Sequence, residues 1–329
     1  MRQALEPALF TTLWLTLTIP SQGAVIAEDF AKNPVADGWK VFGDTNLFVW
    51  NATNGSLDVT WDSSRTNSYF YLPLGTIMNR YDDFGLVLDL QLNDLAVGVN
   101  SNKPSTFELA FGFLNPDQAT QTNFFRGSSF NSPNLVEFDF FPEGEFAPTL
   151  WPSIWSTNSV LNYNSSGDYT IMNLPTRVPM RVSMSYWASN QTLTTSITTN
   201  NVPIGAINDV SLSSSFTDFR ITAFGVESYS DAGQDPQYGG SLLAHGSVDN
   251  IRLTVPPGPI QNLSGKFTSQ QWAVTFMSRT NWFYILERTT DFRNWAIVSP
   301  TTPGSGASMV LADTNPPPFM AYYHVRAQK

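Results

Sequence analysis

The chain of 329 residues has a formal net charge of −10, with 42% hydrophobic and 13% charged residues. This composition is that of a globular protein with a sizeable core and excludes an intrinsically disordered chain. An acidic surface repels phosphate backbones, which argues against nucleic acid as a partner. The sequence contains no cysteine, so disulfides, thiolate nucleophiles and cysteine-based zinc sites are excluded. A histidine-dependent site would have to use His245 or His324, the only two histidines in the sequence.

The first 23 residues have the pattern of a secretion signal. Arg2 precedes a short apolar run at residues 8–20, and small residues follow at 21–24. This run is shorter than the roughly 20 apolar residues that span a bilayer. A buried first helix is the alternative interpretation. We expect residues 1–23 to be cleaved and the rest of the chain to be secreted or held at the cell surface, without a membrane span.

Alternating apolar and polar residues predict β-strands along most of the chain. In chain order these segments are residues 57–62, 84–92, 107–113, 136–140, 178–187, 192–199 and 219–226. Turn sequences such as Asn54-Gly55 and Asn200-Asn201 separate them, and no stretch has sustained helical periodicity. The pattern predicts an all-β protein, an antiparallel β-sandwich or jelly roll with one solvated face per sheet.

A proline-rich segment at residues 256–259 predicts a linker between two domains. The segment before it reads as a closing strand, which gives a first domain of residues 24–255. Residues 260–329 contain further alternating runs and are enough for a small β-sandwich. Their sequence resembles small β-domains that end secreted bacterial proteins, and no chemistry is visible in them.

The densest chemistry in the sequence lies at residues 134–145. Read as a strand, this stretch places Glu137 and Asp139 on one face and the apolar residues between them on the other. Two carboxylates on one sheet face are costly unless a cation, an arginine or a substrate compensates them. Glu143 and Glu145 follow in a loop. We therefore predict that this stretch carries the functional site.

The segment at residues 136–142 resembles the start of the metal site in legume-type lectins. It reads Val-Glu-Phe-Asp-Phe-Phe-Pro. On this basis the first domain resembles the concanavalin A-like lectin/glucanase jelly roll, and the likeness in strand rhythm covers roughly residues 24–255. The resemblance implies metal ligands at the Glu137 and Asp139 side chains and at the Phe141 carbonyl.

The chain departs from this lectin pattern at two positions, because Pro148 and Ser153 stand where a second aspartate and a histidine are expected. We therefore expect the transition-metal half of the site to be lost. A calcium ion remains an expectation because calcium accepts oxygen ligands in loose geometry. A solvated acidic loop is the alternative. The candidate calcium ligands are Asp139, the Phe141 carbonyl, Glu143 and Glu145.

A second calcium candidate is Asp249 in the closing strand. It resembles the aspartate that holds a structural calcium in several jelly-roll binding modules. An aspartate that caps a turn is the alternative interpretation.

Two tryptophans suggest a carbohydrate-binding surface. If residues 150–156 are extended, Trp151 and Trp155 share a face, with their positions about 13 Å apart. Exposed rings at such a spacing stack on sugars, whereas the alternative is that both fill the core. The candidate carbohydrate ligands are Glu137, Asp139, Trp151, Trp155, Tyr163, Arg181 and Trp187.

Three functions remain open. The leading hypothesis is a non-catalytic, lectin-like protein that binds an extracellular polysaccharide or glycan. The alternative is a polysaccharide-cleaving enzyme of the same fold. Retaining glycosidases need two carboxyls about 5–5.5 Å apart. Glu143 follows Glu137 by six residues and lies beyond a proline, so we do not expect these two side chains to converge. Neither histidine lies in the Gln-x-His motif typical of polysaccharide lyases of this fold. The third is a structural surface protein without a small ligand, which predicts a concave face filled by side chains.

Overall fold

The computed structural model describes residues 23–98, 108–127, 131–142, 147–162, 169–232, 241–268 and 270–329. The first sixteen strands belong to two large sheets. They are β1 (Ala24–Glu28), β2 (Lys40–Phe42), β3 (Phe48–Asn51), β4 (Ser56–Asp62), β5 (Ser68–Met78), β6 (Phe84–Val97), β7 (Leu109–Leu114), β8 (Leu135–Phe141), β9 (Thr149–Trp155), β10 (Thr170–Ile171), β11 (Met180–Trp187), β12 (Thr192–Thr199), β13 (Val202–Pro203), β14 (Val210–Ser211), β15 (Ile221–Ser228) and β16 (Leu242–Val255).

Seven further strands follow in the C-terminal part. They are β17 (Ile260–Thr268), β18 (Gln271–Ser278), β19 (Phe283–Thr289), β20 (Ala296–Ile297), β21 (Thr302–Pro303), β22 (Ser308–Asp313) and β23 (Tyr322–Gln328). The helical elements are short. They are the 3₁₀ turns Pro34–Asp37 and Thr45–Leu47 and the single-turn helix α1 (Pro116–Ala119).

The two large sheets form a β-sandwich. The nine-stranded sheet has the order β13-β12-β11-β6-β16-β4-β3, with β1 beside β16 and β14 beside β12. The seven-stranded sheet has the order β10-β9-β8-β7-β15-β5-β2. Neighbouring strands in both sheets are antiparallel. The predicted all-β antiparallel sandwich is therefore confirmed.

The core of the sandwich is built by the apolar residues of the alternating pattern. Phe138 on β8 stacks on Phe111 of β7 with ring centroids 4.5 Å apart. Both belong to one buried cluster with Leu86 and Leu88 from the opposite sheet. Burying side chains of this size contributes roughly 1.5–3 kcal/mol each. The same alternation turns the remaining β8 side chains away from this core.

The central part of the outward face of the seven-stranded sheet is covered rather than solvated. Residues 115–127, which we name the covering segment, lie over it and bury a second apolar cluster. Phe124 of this segment packs there against Tyr69 and Tyr229. Asn67 Nδ2 donates to the Phe124 carbonyl at 2.9 Å and ties the segment to β5. We name the sheet surface beneath the segment the covered face.

The C-terminal part forms two smaller sheets. One has the order β17-β18-β22, and the other has β20-β19-β21 with β23 beside β19. Their shared core includes Phe276, Tyr284 and Leu286. This architecture agrees with the predicted small β-sandwich. The segment 256–259 lies between the end of β16 and the start of β17, and independent folding of the two parts stays a prediction.

Polar contacts join the two parts. Arg279 Nη2 donates to Asp82 Oδ1 at 2.6 Å, and Lys329 Nζ donates to the other oxygen of Asp82. Arg279 also donates to Thr76 Oγ1 at 3.0 Å. The side chains of Asp82, Arg279 and Lys329 are largely buried.

The N-terminal signal prediction falls on residues outside the described part of the chain, apart from Gly23. Across the described residues, no helix has the length and apolar character needed to cross a membrane.

Candidate functional site

Glu137 and Asp139 lie side by side on the covered face, as the alternation of β8 predicts. Glu137 is paired across the sheet with Gly112 and Ser153, and Asp139 is paired with Ala110 and Trp151. Both carboxylates are fully buried. Buried carboxylates require a compensating cation or protonation, so their surroundings decide what the site can do.

The compensating cation is Arg126, at the end of the covering segment. Its Nη2 lies 3.0 Å from Asp139 Oδ2 and 3.3 Å from Glu137 Oε2. Its Nε lies 2.8 Å from Oε1 of Glu108, the residue before β7. The guanidinium carbon also lies 4.7 Å from the centre of the Trp155 ring, a cation–π distance. Arg126 thus joins three carboxylates beneath the covering segment.

A fourth carboxylate, Glu227, reaches the covered face from β15. Glu227 is paired with Ala110 on β7, which is paired in turn with Asp139. Small residues between the acids leave room for them, since a Cβ at Gly225 would lie 3.2 Å from Glu227 Oε1. Tyr229 Oη is within hydrogen-bond distance of Glu137 Oε1 and lies 3.3 Å from Glu227 Oε2.

If all four acids on the covered face were ionised, their negative charges would exceed the single positive charge of Arg126, which pairs with three of them. Burial raises the pKa of Glu108, Glu137 and Asp139 by removing water from the charged form, and the Arg126 charge offsets part of this rise. Burial raises the pKa of Glu227 to about 8. At neutral pH the Glu227 carboxyl is therefore mostly protonated and can donate a hydrogen bond.

The predicted tryptophan pair has a different environment from the one expected. Trp151 and Trp155 do share the covered face with Ser153, and Trp155 Nε1 donates to Ser153 Oγ at 3.2 Å. Trp155 is only 5% exposed because the Arg126 guanidinium lies over its ring. Trp151 is half-buried and meets Tyr169 edge to face at 6.4 Å. Trp155 therefore presents no open ring for a sugar in this structure.

Arg181, Trp187 and Asp249 lie on the other sheet. The outward face of the nine-stranded sheet carries all three, so the sandwich core separates them from Glu137. The structure therefore does not bring the predicted carbohydrate ligands together into one site. Tyr163 lies outside the described residues.

Arg181 forms a bidentate ion pair with Asp89 of β6. The distances are 2.9 Å from Nε to Oδ1 and 3.1 Å from Nη2 to Oδ2. Asn250 Nδ2 donates to the same carboxylate at 3.0 Å. Asp249 is paired with Asp89 across β16 and β6, next to a β-bulge. Three strands thus bring an arginine, two aspartates and an amide to one place.

Asp89, Arg181 and Asp249 line an open cavity of about 400 Å³ on the outward face of the nine-stranded sheet. We name it the Asp89 cavity. The Asn200-Asn201 turn closes one side, and both residues have positive φ, which asparagine tolerates in a tight hairpin turn. Burial is the main cause that raises the pKa of Asp249, and the negative charges of Asp89 and Asp29 add to this rise. The polar lining consists of Asp89, Gln91, Arg181, Thr198, Asn200, Asn201, Ser247 and Asp249.

The described residues do not fit the expected calcium ion. Among them, no group of three or more histidine, aspartate or glutamate side chains is arranged to hold a metal. At Asp139 the Arg126 guanidinium already supplies the positive charge, 3.0 Å from the carboxylate. Phe141 ends the same strand, whereas Asp249 lies on the opposite sheet. Glu143 and Glu145 fall outside the described residues.

No protein-family model and no curated protein matches the chain. Among solved structures it is similar to peanut lectin with a nonapeptide, at 15% identity over 71% of this chain and 99% of that chain, with a TM-score of 0.45. It is also similar to lectin II from Ulex europaeus, at 13% identity over 72% of this chain and 100% of that chain, with a TM-score of 0.44. An alginate lyase in complex with alginate tetrasaccharide matches at 10% identity over 72% of this chain and 98% of that chain, with a TM-score of 0.39.

These resemblances concern the fold. The matched proteins include lectins and an enzyme, and at TM-scores below 0.5 they assign neither binding nor catalysis to this chain.

Proposed function

We propose that the chain is a non-catalytic carbohydrate-binding protein whose sugar occupies the Asp89 cavity. The observation that carries this proposal is the bidentate Arg181–Asp89 pair at the floor of an open, polar cavity. Asn250 holds the aspartate from a third strand, so the carboxylate is fixed before any ligand arrives. Fixed polar groups reduce the entropy lost on binding.

The chemistry of the cavity suits a polyol. Arginine offers five N–H donors and a carboxylate offers about four acceptor positions, so the pair keeps free hydrogen-bonding capacity. Amides from Gln91 and Asn200 and the Ser247 hydroxyl surround it. Neighbouring hydroxyls of a sugar both donate and accept, which matches this mixture. A cavity of about 400 Å³ is within the usual size of small-molecule sites.

The covered face supports this placement by exclusion. The sequence placed the glycan at Glu137, Asp139 and Trp155, and the structure fills that face with Arg126 and the second apolar cluster. A sugar could reach these groups only by displacing the covering segment. The filled face is what the structural-protein hypothesis expected, while the open cavity on the other sheet favours binding.

A glycan array with the full chain tests the proposal. Wild-type protein is expected to bind at least one oligosaccharide class, and Arg181→Ala should remove that signal. Arg65→Ala is a matched control, because Arg65 also pairs with an aspartate and its side chain is 59% exposed, against 55% for Arg181. Absence of any bound sugar, or equal binding by Arg181→Ala, would overturn the proposal.

Polysaccharide cleavage is the second candidate, favoured by the Tyr229 contact. Tyr229 Oη lies between Glu137 and Glu227, and the pKa of Glu227 is raised to about 8. A protonated acid beside a second carboxyl is the pairing that general acid catalysis uses. New reducing ends or unsaturated products that disappear in Glu137→Gln would replace binding by catalysis as the function.

We also propose that the mature protein works outside the cytoplasm. The support is the arginine, apolar run and small residues at positions 1–24. Deletion of residues 2–23 should retain the protein inside the producing cell, whereas the full sequence should be exported and shortened. Equal distribution of both forms would contradict the proposal.

A further inference from the structure

The outer face of the C-terminal four-stranded sheet carries a row of aromatic and cationic side chains. Tyr322, His324 and Arg326 alternate along β23 with Tyr323 and Val325. Since Tyr323 and Val325 pack against the C-terminal core, the other three point outward. β19 and β23 are neighbours in this sheet, so side chains of both strands contribute to this face.

Two more rings pack on this strand. Phe292 lies against Tyr322 with ring centroids 4.0 Å apart, and Trp295 stacks on His324 at 3.9 Å with an interplanar angle of 22°. Residues two apart on a strand are about 7 Å apart, so the two ring pairs form a line. Trp295 remains 37% exposed and Phe292 60% exposed. We name these four residues with Arg326 the aromatic row.

The permanent positive charge of the aromatic row is that of Arg326. Glu287 on β19 accepts from Arg326 Nη2 at 2.9 Å and lies 2.6 Å from His324 Nε2. The Glu287 side chain is only 11% exposed, whereas that of Arg326 is 45% exposed. The carboxylate therefore lies beneath the guanidinium and holds it in place, while a ligand meets the cation first.

The charge of the whole C-terminal part has the same sign. Residues 260–329 contain six lysines and arginines and three aspartates and glutamates, a formal charge of +3 in a chain of net −10. Arg279 and Lys329 face Asp82 of the sandwich, so the other four cations and three acids of this part leave a formal charge of +1. Within the aromatic row, Arg326 is the exposed cation that can pair with an anionic partner.

We propose that the aromatic row binds an acidic polysaccharide rich in uronic acids. Sugar rings would stack on Trp295 and Phe292, because exposed flat rings offer large apolar faces at low entropic cost. A uronate carboxylate would pair with Arg326, whose planar fork matches a carboxylate. This site is separate from the Asp89 cavity and does not rest on the function proposed for it.

Affinity electrophoresis and calorimetry of the full chain with polygalacturonate test this site, with a neutral glucan of similar length as comparison. The wild type should bind polygalacturonate, and binding should weaken at least tenfold in Trp295→Ala and at least fivefold in Arg326→Gln. Trp187→Ala is the matched control, because Trp187 is a 49% exposed tryptophan on the sandwich. Raising the salt concentration from 50 to 500 mM should weaken binding by a similar factor.

Three outcomes would overturn the inference. They are absence of polygalacturonate binding, equal binding by both aromatic-row variants, and equal affinity for the neutral glucan. If Trp295→Ala lowers the melting temperature of the C-terminal part, the Arg326→Gln variant alone tests the inference, because replacing the half-exposed Arg326 side chain should not disturb the fold. The Asp89 cavity is tested separately by Arg181→Ala on the glycan array, so failure of that proposal would be distinguished from failure of binding at the aromatic row.

Discussion

The Arg126 guanidinium lies 3.0 Å from the Asp139 carboxylate, and both groups are buried. Arg126 comes from the covering segment, whereas Asp139 is in the middle of the seven-stranded sheet. The pair therefore fixes an irregular segment to a strand surface that would otherwise expose acids to solvent. Phe124 packs beside it in the second apolar cluster. Ionic and apolar contacts together close this side of the sandwich.

Arg126→Met should destabilise the protein strongly. Removing one partner of a buried ion pair costs about 3–5 kcal/mol, because the remaining charges stay buried without compensation. Urea unfolding at pH 8 is the measurement. Arg65→Met, in an exposed pair with Asp62, should change the free energy of unfolding by less than about 1 kcal/mol. Equal stability of the two variants would show that the buried pair does not hold the covered face.

The free energy of unfolding should fall as pH rises from about 4.5 to about 8. The pKa of Glu227 is about 8 in the folded chain against 4.5 for an ordinary glutamate, so the folded state holds the extra proton in this window. Each pH unit then lowers the stability by up to about 1.4 kcal/mol for one proton. Denaturant unfolding between pH 4.5 and 8.5 measures the slope.

Glu227→Gln should reduce the slope of this pH dependence without abolishing it, because the pKa values of Glu108 and Glu137 are raised as well. It should raise the stability at pH 8, because glutamine stays neutral. Asp94→Asn, at an exposed carboxylate on the nine-stranded sheet, should keep the wild-type slope. A wild-type stability that rises from pH 5 to pH 8 would contradict the assignment of a protonated Glu227.

Asp82→Asn should loosen the contact between the sandwich and the C-terminal part. Asp82 faces both Arg279 and Lys329, so losing its charge leaves two largely buried cations without a carboxylate. We expect a loss of about 3 kcal/mol, the lower end for a broken buried pair. Cleavage between the sandwich and the C-terminal part by a broad-specificity protease should become faster. Asp83→Asn removes the same charge one residue away, and its cleavage rate should match that of the wild type.

The covered face was predictable from the sequence only in part. Alternation in β8 placed Glu137 and Asp139 on one face, and their proximity required a cation, an arginine or a substrate. Arg126 is the cation that compensates them, but it lies in an irregular segment whose packing cannot be predicted from an alternating residue pattern. Glu227 reaches the cluster through β15, a strand about 90 residues further along the chain. The glycines Gly112 and Gly225 within apolar strands are the sequence features that could have indicated room for this buried acid cluster.

The Asp89 cavity was less visible because it depends on strand order. The sequence marks Arg181 and Asp249 as two separate candidates, whereas Asp89 lies in an apolar strand that gives no signal of a site. They meet because β6 lies between β11 and β16 in the nine-stranded sheet. The same alternating strands can be arranged in several orders in an antiparallel sandwich. Which side chains of different strands lie close together is therefore known only from the three-dimensional structure.

Calorimetry with the oligosaccharide that binds best on the array determines which sheet holds the sugar. Three proteins suffice, namely wild type, Asp89→Ala and Glu137→Gln. If the sugar occupies the Asp89 cavity, Asp89→Ala should weaken binding at least tenfold in Kd, since hydrogen bonds to a charged group contribute about 1.5–3 kcal/mol. Glu137→Gln should leave the Kd unchanged. Loss of binding in Glu137→Gln with full binding in Asp89→Ala would place the sugar on the covered face instead.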